Sequence, residues 1–204
     1  MEYLERTISY LTKSIRAHDS KLLPSTPAFT SHPTPTLTVT SPSCGPSDSR
    51  LDNDYIAGEG KNLIPSLSWT LPPSISAASV KEYLILIEDA DAPLGFPIMH
   101  AAFYHIPPEK TSLGPEDIEK GEEGGRLRGG FKYAKNMRGN VYMPPRPLRG
   151  HGPHRYFYEV VALSESVGVE GKGLSAVAKK DELLRGVEGK VLGWGQWVGV
   201  AERS

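Results

Sequence analysis

A glycine-flanked turn, Gly150-His151-Gly152-Pro153-His154-Arg155-Tyr156, leads into a predicted strand that ends at Leu163. Side chains alternate in direction along a strand, so His154 and Tyr156 share one face while Arg155 points to the other. A histidine and a phenol at the junction of a loop and a strand supply the hydrogen bonds that a small polar or anionic pocket needs. The stretch therefore predicts one wall of a binding pocket.

A second polar run, Asp89-Ala90-Asp91-Ala92-Pro93, follows a predicted strand over residues 80–88. That strand contains a nearly continuous apolar run, which is typical of a strand buried on both faces. His100 opens the next predicted strand, over residues 100–106. Because loops at strand ends carry binding groups on a rigid scaffold, we expect Asp89, His100 and His154 to meet in one pocket. A carboxylate beside an imidazole favours its protonated form, which donates hydrogen bonds to a phosphate or carboxylate.

The remainder of the chain predicts short strands separated by turns. Its 204 residues fit one domain, and its 21 glycines and 18 prolines favour many turns over a helical bundle. Further strands are predicted over residues 37–40, 67–71 and 196–201, and a helix over residues 179–187. Residues 114–130 are charged and glycine-rich, and predict a long surface loop. The sequence thus predicts a mainly β fold, an antiparallel β-sandwich with peripheral helices.

The N-terminal part of the sequence differs in composition from this predicted domain. Residues 1–22 predict an amphipathic helix, because Leu4, Ile8, Leu11 and Ile15 recur at helical spacing. Residues 23–36 are rich in Pro, Ser and Thr and predict an extended connector to the β domain of residues 37–204. The apolar stripe of the helix is expected to pack on the domain or on a second copy of the chain, which would make a homodimer.

Several classes of protein are disfavoured. The net charge of −1 provides no basic field for nucleic acid, and no apolar stretch approaches the roughly 18 residues of a membrane span. The single cysteine, Cys44, excludes an internal disulfide and favours a reducing, cytoplasmic location, and the charged N-terminus is unlike a signal peptide. One Asp and two His form a conceivable metal set, but the two pocket histidines lack the short spacing of paired ligands, so we predict no metal and no cofactor.

Both polar runs resemble the signatures of a known family, the phosphatidylethanolamine-binding proteins, which include the Raf kinase inhibitor proteins. The family signatures read Asp-Pro-Asp-Ala-Pro and Gly-x-His-Arg-Tyr. The segment Gly60-Lys-Asn-Leu-Ile-Pro-Ser-Leu-Ser-Trp69 is similar to one in bacterial-type members, and the resemblance extends over residues 37–203. This chain departs from the first signature at Ala90, where proline is usual.

The resemblance implies a β-sandwich with a pocket for a small anionic ligand such as a phospholipid headgroup. By matching positions, it assigns six residues to the ligand-binding lining: Asp89, Pro93, His100, Pro147, His154 and Tyr156. It assigns Asp91 and Arg155 to a supporting pair behind the pocket. It also implies a protein partner, a kinase or a protease, whereas His105 and His151 are expected to be structural or solvated.

Two functions remain open from the sequence. The first is a binding protein that captures a phosphate- or carboxylate-bearing small molecule and acts as an inhibitor or regulator. The alternative is an enzyme of fungal polyketide-anhydride biosynthesis, because the resemblance extends to fungal members linked to such pathways. In that case Asp89, His100 and His154 would serve as catalytic residues in an acid–base assisted condensation or cyclisation. The apolar run Phe96-Pro97-Ile98-Met99 before His100 suits a hydrophobic ligand.

Overall fold

A six-stranded sheet forms the centre of the computed structural model, which describes residues 2–121 and 126–203. The predicted loop of residues 114–130 therefore lies partly outside the described residues. The strands are β1 Thr38–Thr40, β2 Ser49–Arg50, β3 Leu67–Thr70, β4 Glu82–Asp89, β5 Ile98–Ile106, β6 Ser112–Leu113, β7 Lys132–Ala134, β8 His154–Leu163, β9 Val169–Glu170, β10 Gly173–Leu174 and β11 Val191–Ala201.

The order of strands in the large sheet is β2-β11-β8-β4-β5-β7, with β8 and β4 at its centre. Every side chain of β4 is buried, as the apolar run of that strand predicts. Neighbouring strands are antiparallel except for β2 and β11, which run parallel. The sheet is therefore mixed.

Each face of the large sheet is covered by its own hydrophobic cluster. On one face, Trp69 and Val39 of the small sheet β1-β3-β6 share a cluster with Ile85 and Tyr158 of the large sheet. On the other face, Leu183 of helix α2 (Lys180–Val187) packs with the apolar side chains of β4 and β8. The structure confirms the prediction of a mainly β fold with few helices, but its mixed sheets are not the purely antiparallel sandwich that the sequence predicted.

The N-terminal helix is shorter than the predicted helix of residues 1–22. Helix α1 spans Glu2–Thr12, and Ala17 has a φ of 61°, which no α-helix continues. The chain turns there because the backbone N–H of Ala17 donates to the Asp91 carboxylate and that of His18 donates to the carbonyl of Ala90. Contacts with a distant part of the chain thus end the helix early.

Residues 23–36 are packed on the domain, where the sequence predicted an extended connector. Two 3₁₀ turns, Leu23–Ser25 and Pro27–Phe29, place Leu23 and Phe29 in the cluster beside α2. Proline occupies the first or second position of each turn, where its fixed φ is compatible with helical backbone. The prolines therefore shape tight turns that bury apolar side chains.

Helix α1 packs on the domain largely through polar groups, and Leu4 and Leu11 of its apolar stripe face outward. The hydroxyl of Ser9 is buried and donates to the carbonyl of Arg149 at 2.7 Å, while Leu4 and Leu11 are 66% and 71% exposed. The helix therefore packs on the domain, as one of the two expectations had it, but only Ile8 of the apolar stripe reaches the cavity wall. Among the described residues, no helix has the length and apolar character to cross a bilayer.

Candidate functional site

A cavity of about 420 Å³ opens where the polar ends of β4, β5 and β8 meet. In the antiparallel register, Asp89 at the end of β4 lies opposite Tyr156, two residues after His154 at the start of β8. Apolar side chains make up most of the wall. The lining consists of Ile8, Asp89, Ala92, Pro93, Leu94, Ile98, His100, Met137, Arg138, Met143, Pro144, Arg146, Leu148 and His154.

Both ring nitrogens of His154 are engaged in hydrogen bonds. Its Nδ1 lies 2.9 Å from Oδ2 of Asp89, and its Nε2 lies 2.8 Å from Nδ1 of His151. The other nitrogen of His151, Nε2, lies 3.0 Å from the carbonyl oxygen of Thr12, the last residue of α1. His151 is fully buried, so of the two roles expected for it, structural or solvated, the structure favours the structural one. These four groups form one hydrogen-bonded chain from the helix to the cavity.

The chemistry of this hydrogen-bonded chain fixes where its protons lie. A carbonyl only accepts, so the Nε2 of His151 carries a hydrogen and donates it to Thr12. Burial is the main cause that lowers the pKa of His151, which keeps the ring neutral and its Nδ1 an acceptor. The Nε2 of His154 must then be the donor in the bond to His151. One proton consequently lies between the Nδ1 of His154 and the carboxylate of Asp89.

His100 differs from His154 in its hydrogen bonding, because only one of its ring nitrogens has a partner among the described residues. Its Nδ1 donates to the carbonyl of Met143 at 2.5 Å, and within the described residues its Nε2 has no hydrogen-bond partner. Burial, the largest influence, lowers the pKa of His100, although the nearby Asp89 opposes this effect. The neutral ring therefore offers an unprotonated Nε2, which is a base and a hydrogen-bond acceptor. This is not the donor that an anion receptor requires.

Two arginines of the cavity wall, Arg138 and Arg146, were not predicted from the sequence. Both are exposed residues of the segment that forms one side of the cavity, and both carry a permanent positive charge. They place positive charge on the cavity wall, which the neutral ring of His100 does not. Nothing in the sequence near them distinguishes them from surface arginines, because their position depends on how the loop between β7 and β8 folds over the strand ends.

Two of the predicted ligand contacts do not line the cavity. The ring of Tyr156 packs edge-on against His100, with ring centroids 5.1 Å apart, and its buried hydroxyl has no hydrogen-bond partner among the described residues. Burial first, and the charge of Asp89 second, raise the pKa of Tyr156 well above its usual value. Pro147 is buried, and its carbonyl accepts a hydrogen bond from Arg203. Ligand contact by these two residues stays a prediction, whereas Asp89, Pro93, His100 and His154 line the cavity.

Behind the cavity, Arg155 and Asp91 lie together as an ion pair. The Nε of Arg155 donates to Oδ2 of Asp91 at 2.9 Å, and its Nη1 donates to Oδ1 of Asp19 at 2.7 Å. Burial alone would raise the pKa of Asp91, but the hydrogen bonds from Arg155 outweigh it and lower the pKa to about 2. The bonds hold together the loop after β4, the start of β8 and the N-terminal segment.

Comparison with known proteins gives consistent matches. The chain is 44% identical to phomoidride biosynthesis cluster protein B of Talaromyces stipitatus, over 98% of this chain and 82% of that protein. It is 42% identical to the protein of the same name from an unclassified fungus, over 100% of this chain and 96% of that protein. Among solved structures, Escherichia coli YbcL, described as a member of the mammalian PEBP family, matches with a TM-score of 0.65 and 21% identity, over 83% of this chain and 99% of that chain.

The family model described as phosphatidylethanolamine-binding protein matches residues 41–202. This match covers most of the chain and includes both signature runs, the six strands of the large sheet and most of the cavity lining. The chain belongs to the phosphatidylethanolamine-binding protein family.

Proposed function

We propose that the protein is an enzyme of small-molecule biosynthesis. Its cavity binds an apolar intermediate that carries a carboxylate or an anhydride, and its side chains assist a condensation or cyclisation by acid–base catalysis. One observation carries the proposal: His100 offers an unprotonated nitrogen beside the proton that Asp89 and His154 share. A base and a proton donor thus lie in the same cavity, as acid–base catalysis requires.

The roles follow from the protonation of each group. The lowered pKa of His100 keeps its Nε2 in the basic form at neutral pH, so this nitrogen removes a proton from a carbon next to a carbonyl. The resulting enolate carries its charge on oxygen. The proton that Asp89 and His154 share is the acid of this scheme: it leaves the bond between the two groups and is transferred to the product. His100 and the Asp89–His154 pair are therefore the proposed catalytic residues.

The cavity wall suits the proposed substrate class. Its volume of about 420 Å³ lies within the range of small-molecule sites, and Leu94, Met137 and Met143 make much of it apolar. Arg138 and Arg146 lie on the wall and pair with a carboxylate. A ligand with an apolar body and an acidic end fits this distribution of groups better than a small, strongly hydrated anion does.

The full-length similarity to two fungal proteins supports the same proposal. Both are named for a biosynthesis cluster, and each matches this chain over nearly its entire length. The shared name describes those proteins and the context in which they work. For this chain it favours the biosynthetic alternative over the binding protein that the sequence alone put first.

The test is turnover of a reactive probe by the purified full chain. A dialkylmaleic anhydride with an acidic α-carbon is incubated with wild type, His100→Gln and His154→Ala, and coupled products are measured by mass spectrometry. We expect each variant to lose about 10²- to 10⁴-fold in rate, because general acid–base groups contribute that much. The control is His105→Asn, on the same strand as His100, whose ring contacts the Gly168 carbonyl outside the cavity. Equal rates for wild type and both cavity variants would contradict the proposal.

A binding protein remains the second candidate, favoured by Arg138 and Arg146 on the cavity wall. In this function the cavity holds a phosphate- or carboxylate-bearing molecule, such as a phospholipid headgroup, and the protein regulates a kinase or protease partner. Calorimetric titration with phosphoethanolamine and with maleate separates the two candidates. Tight phosphoethanolamine binding without turnover of the anhydride favours the binding protein. The cytoplasmic location inferred from Cys44 stays a prediction under both functions.

A further inference from the structure

The N-terminal segment of residues 2–23, here called the arm, holds both signature loops in place. It contains α1 and the turn that follows, and it crosses the loop after β4 and the turn before β8. Four arm residues make hydrogen bonds to these loops: Arg16 to the Pro153 carbonyl, Ala17 to the Asp91 carboxylate, His18 to the Ala90 carbonyl and Lys21 to the Gly95 carbonyl. The arm also contributes Ile8 to the cavity wall.

The C-terminus of α1 meets the site at one atom, the carbonyl oxygen of Thr12. The last carbonyls of a helix lack partners within the helix and carry the negative end of its dipole. This carbonyl accepts a hydrogen bond from the N–H of Ile15 at 2.7 Å and one from the Nε2 of His151 at 3.0 Å. Because His151 is fully buried, water does not replace Thr12 as its partner.

We propose that the arm sets the protonation of the catalytic pair through His151. The Thr12 carbonyl selects the tautomer of His151 that carries hydrogen on Nε2, and the free Nδ1 of that tautomer holds a hydrogen on the Nε2 of His154. The Nδ1 of His154 is thereby left to share one proton with Asp89. The inference rests on the proposed function, which makes Asp89 and His154 the reacting pair.

His151 is a positioning residue in this scheme, because it does not line the cavity and acts only through His154. The arm lies outside the part of the chain that the family model matches, residues 41–202. The similarity to the two fungal relatives, in contrast, covers 98% and 100% of the chain and so includes the arm. The arm is therefore an addition to the family domain, and the similarity to these two fungal proteins extends over it.

The test reads the histidine tautomers directly, without any ligand. The full chain is labelled with ¹⁵N-histidine, and ring nitrogens are observed by NMR at neutral pH. In wild type we expect His151 with hydrogen on Nε2 and a bare Nδ1, and His154 with hydrogen on Nε2. Leu11→Pro removes a hydrogen bond within α1 and displaces its last turn, whereas Leu11→Ala at the same exposed position preserves the helix.

We expect Leu11→Pro to shift the ring nitrogens of His151 from their fixed values to those of exchanging tautomers, and to shift those of His154 with them. Leu11→Ala should leave both spectra unchanged. The indole N–H signals of Trp194 and Trp197, which donate to the His32 and Gly45 carbonyls, report whether the domain stays folded. A folded Leu11→Pro variant with wild-type histidine spectra would overturn the inference.

A second variant covers the case in which Leu11→Pro does not fold. His151→Asn shortens the side chain so that it no longer bridges Thr12 and His154, and we expect the Nε2–H signal of His154 to exchange with water and disappear. A persistent, unshifted signal would overturn the inference. Because no ligand is present, these results do not depend on turnover. If the wild-type protein shows the expected tautomers but no catalytic activity, the proposed enzyme is refuted and the inference about the arm stands.

Discussion

At the scale of single residues, the carboxyl of Glu159 is an acidic group inside the core. It is fully buried on β8, and neither oxygen has a hydrogen-bond partner in the part of the chain that the structure describes. On the neighbouring strand, Glu88 receives hydrogen bonds from the backbone N–H of Leu23 and from the ammonium of Lys180. Burial, followed by repulsion from Glu88, raises the pKa of Glu159 well above its usual value.

This raised pKa makes stability depend on pH with a definite sign. A carboxyl that binds its proton more tightly in the folded state stabilises the fold at low pH, and this contribution is lost as pH rises above the ordinary value of 4.5. Glu159→Gln replaces the acid with an amide of similar shape that stays neutral at any pH. We expect the variant to be more stable than wild type by about 1–2 kcal/mol at pH 8 and by less at pH 5.

Urea unfolding of both proteins at the two pH values measures this difference. The matched control is Glu165→Gln, an exposed carboxyl just beyond the end of the same strand, which should change stability little at either pH. A Glu159→Gln variant that is less stable than wild type at pH 8 would mean that the carboxylate is ionised and compensated in the fold.

At the scale of elements, α1 is an amphipathic helix packed through its polar side. Glu5 pairs with Arg203 at 2.9 Å and Ser9 is buried, while Leu4, Tyr10 and Leu11 are exposed. Hydrophobic periodicity identifies a stripe on a helix, but it does not identify which surface covers the stripe. The homodimer that the sequence suggested therefore stays a prediction, and the outward stripe is the surface through which it would form.

Substituting the stripe tests this dimer. We expect the full chain to sediment as a dimer at micromolar concentration and the double variant Leu4→Glu, Leu11→Glu to sediment as a monomer, because buried apolar contacts between copies are replaced by repelling charges. Both sites are exposed, so the variant should keep the unfolding free energy of the monomer within about 0.5 kcal/mol. Ser14→Glu with Ser20→Glu adds the same charge beyond the helix as a control. A monomeric wild-type chain would refute the dimer.

The strands that the sequence predicts well are those with a strong local signal. The strands β4, β5 and β8 begin and end within about two residues of their predicted positions, since continuous apolar runs bounded by turns are local signals. Strand β11 begins at Val191, five residues before its predicted start, because Gly193 and Gly195 interrupt the pattern. The role of His151 was missed because its partner Thr12 lies 139 residues away in the chain. Contacts of that kind leave no trace in local sequence patterns.

At the scale of the whole molecule, the two sheets meet through glycines of β11. A Cβ on Gly195 would lie 2.3 Å from the carbonyl oxygen of Leu37 and 2.9 Å from Cγ2 of Val39. The backbone N–H groups of Thr36 and Leu37 also donate to the carbonyl of Trp194. The small sheet therefore sits directly on the backbone of the large one, and the absence of a side chain at Gly195 permits this contact.

Gly195→Ala tests how much of the stability depends on that contact. The added methyl group meets backbone atoms of Leu37, which do not move by rotating a side chain, so the small sheet must shift away from the cluster around Trp69. We expect a loss of about 1–3 kcal/mol, the usual cost of overpacking a core, measured as a lower urea midpoint with an unchanged slope. Gln196→Ala alters the opposite face of the same strand and is expected to cost less. Equal midpoints for Gly195→Ala and wild type would mean that the two layers are not closely packed.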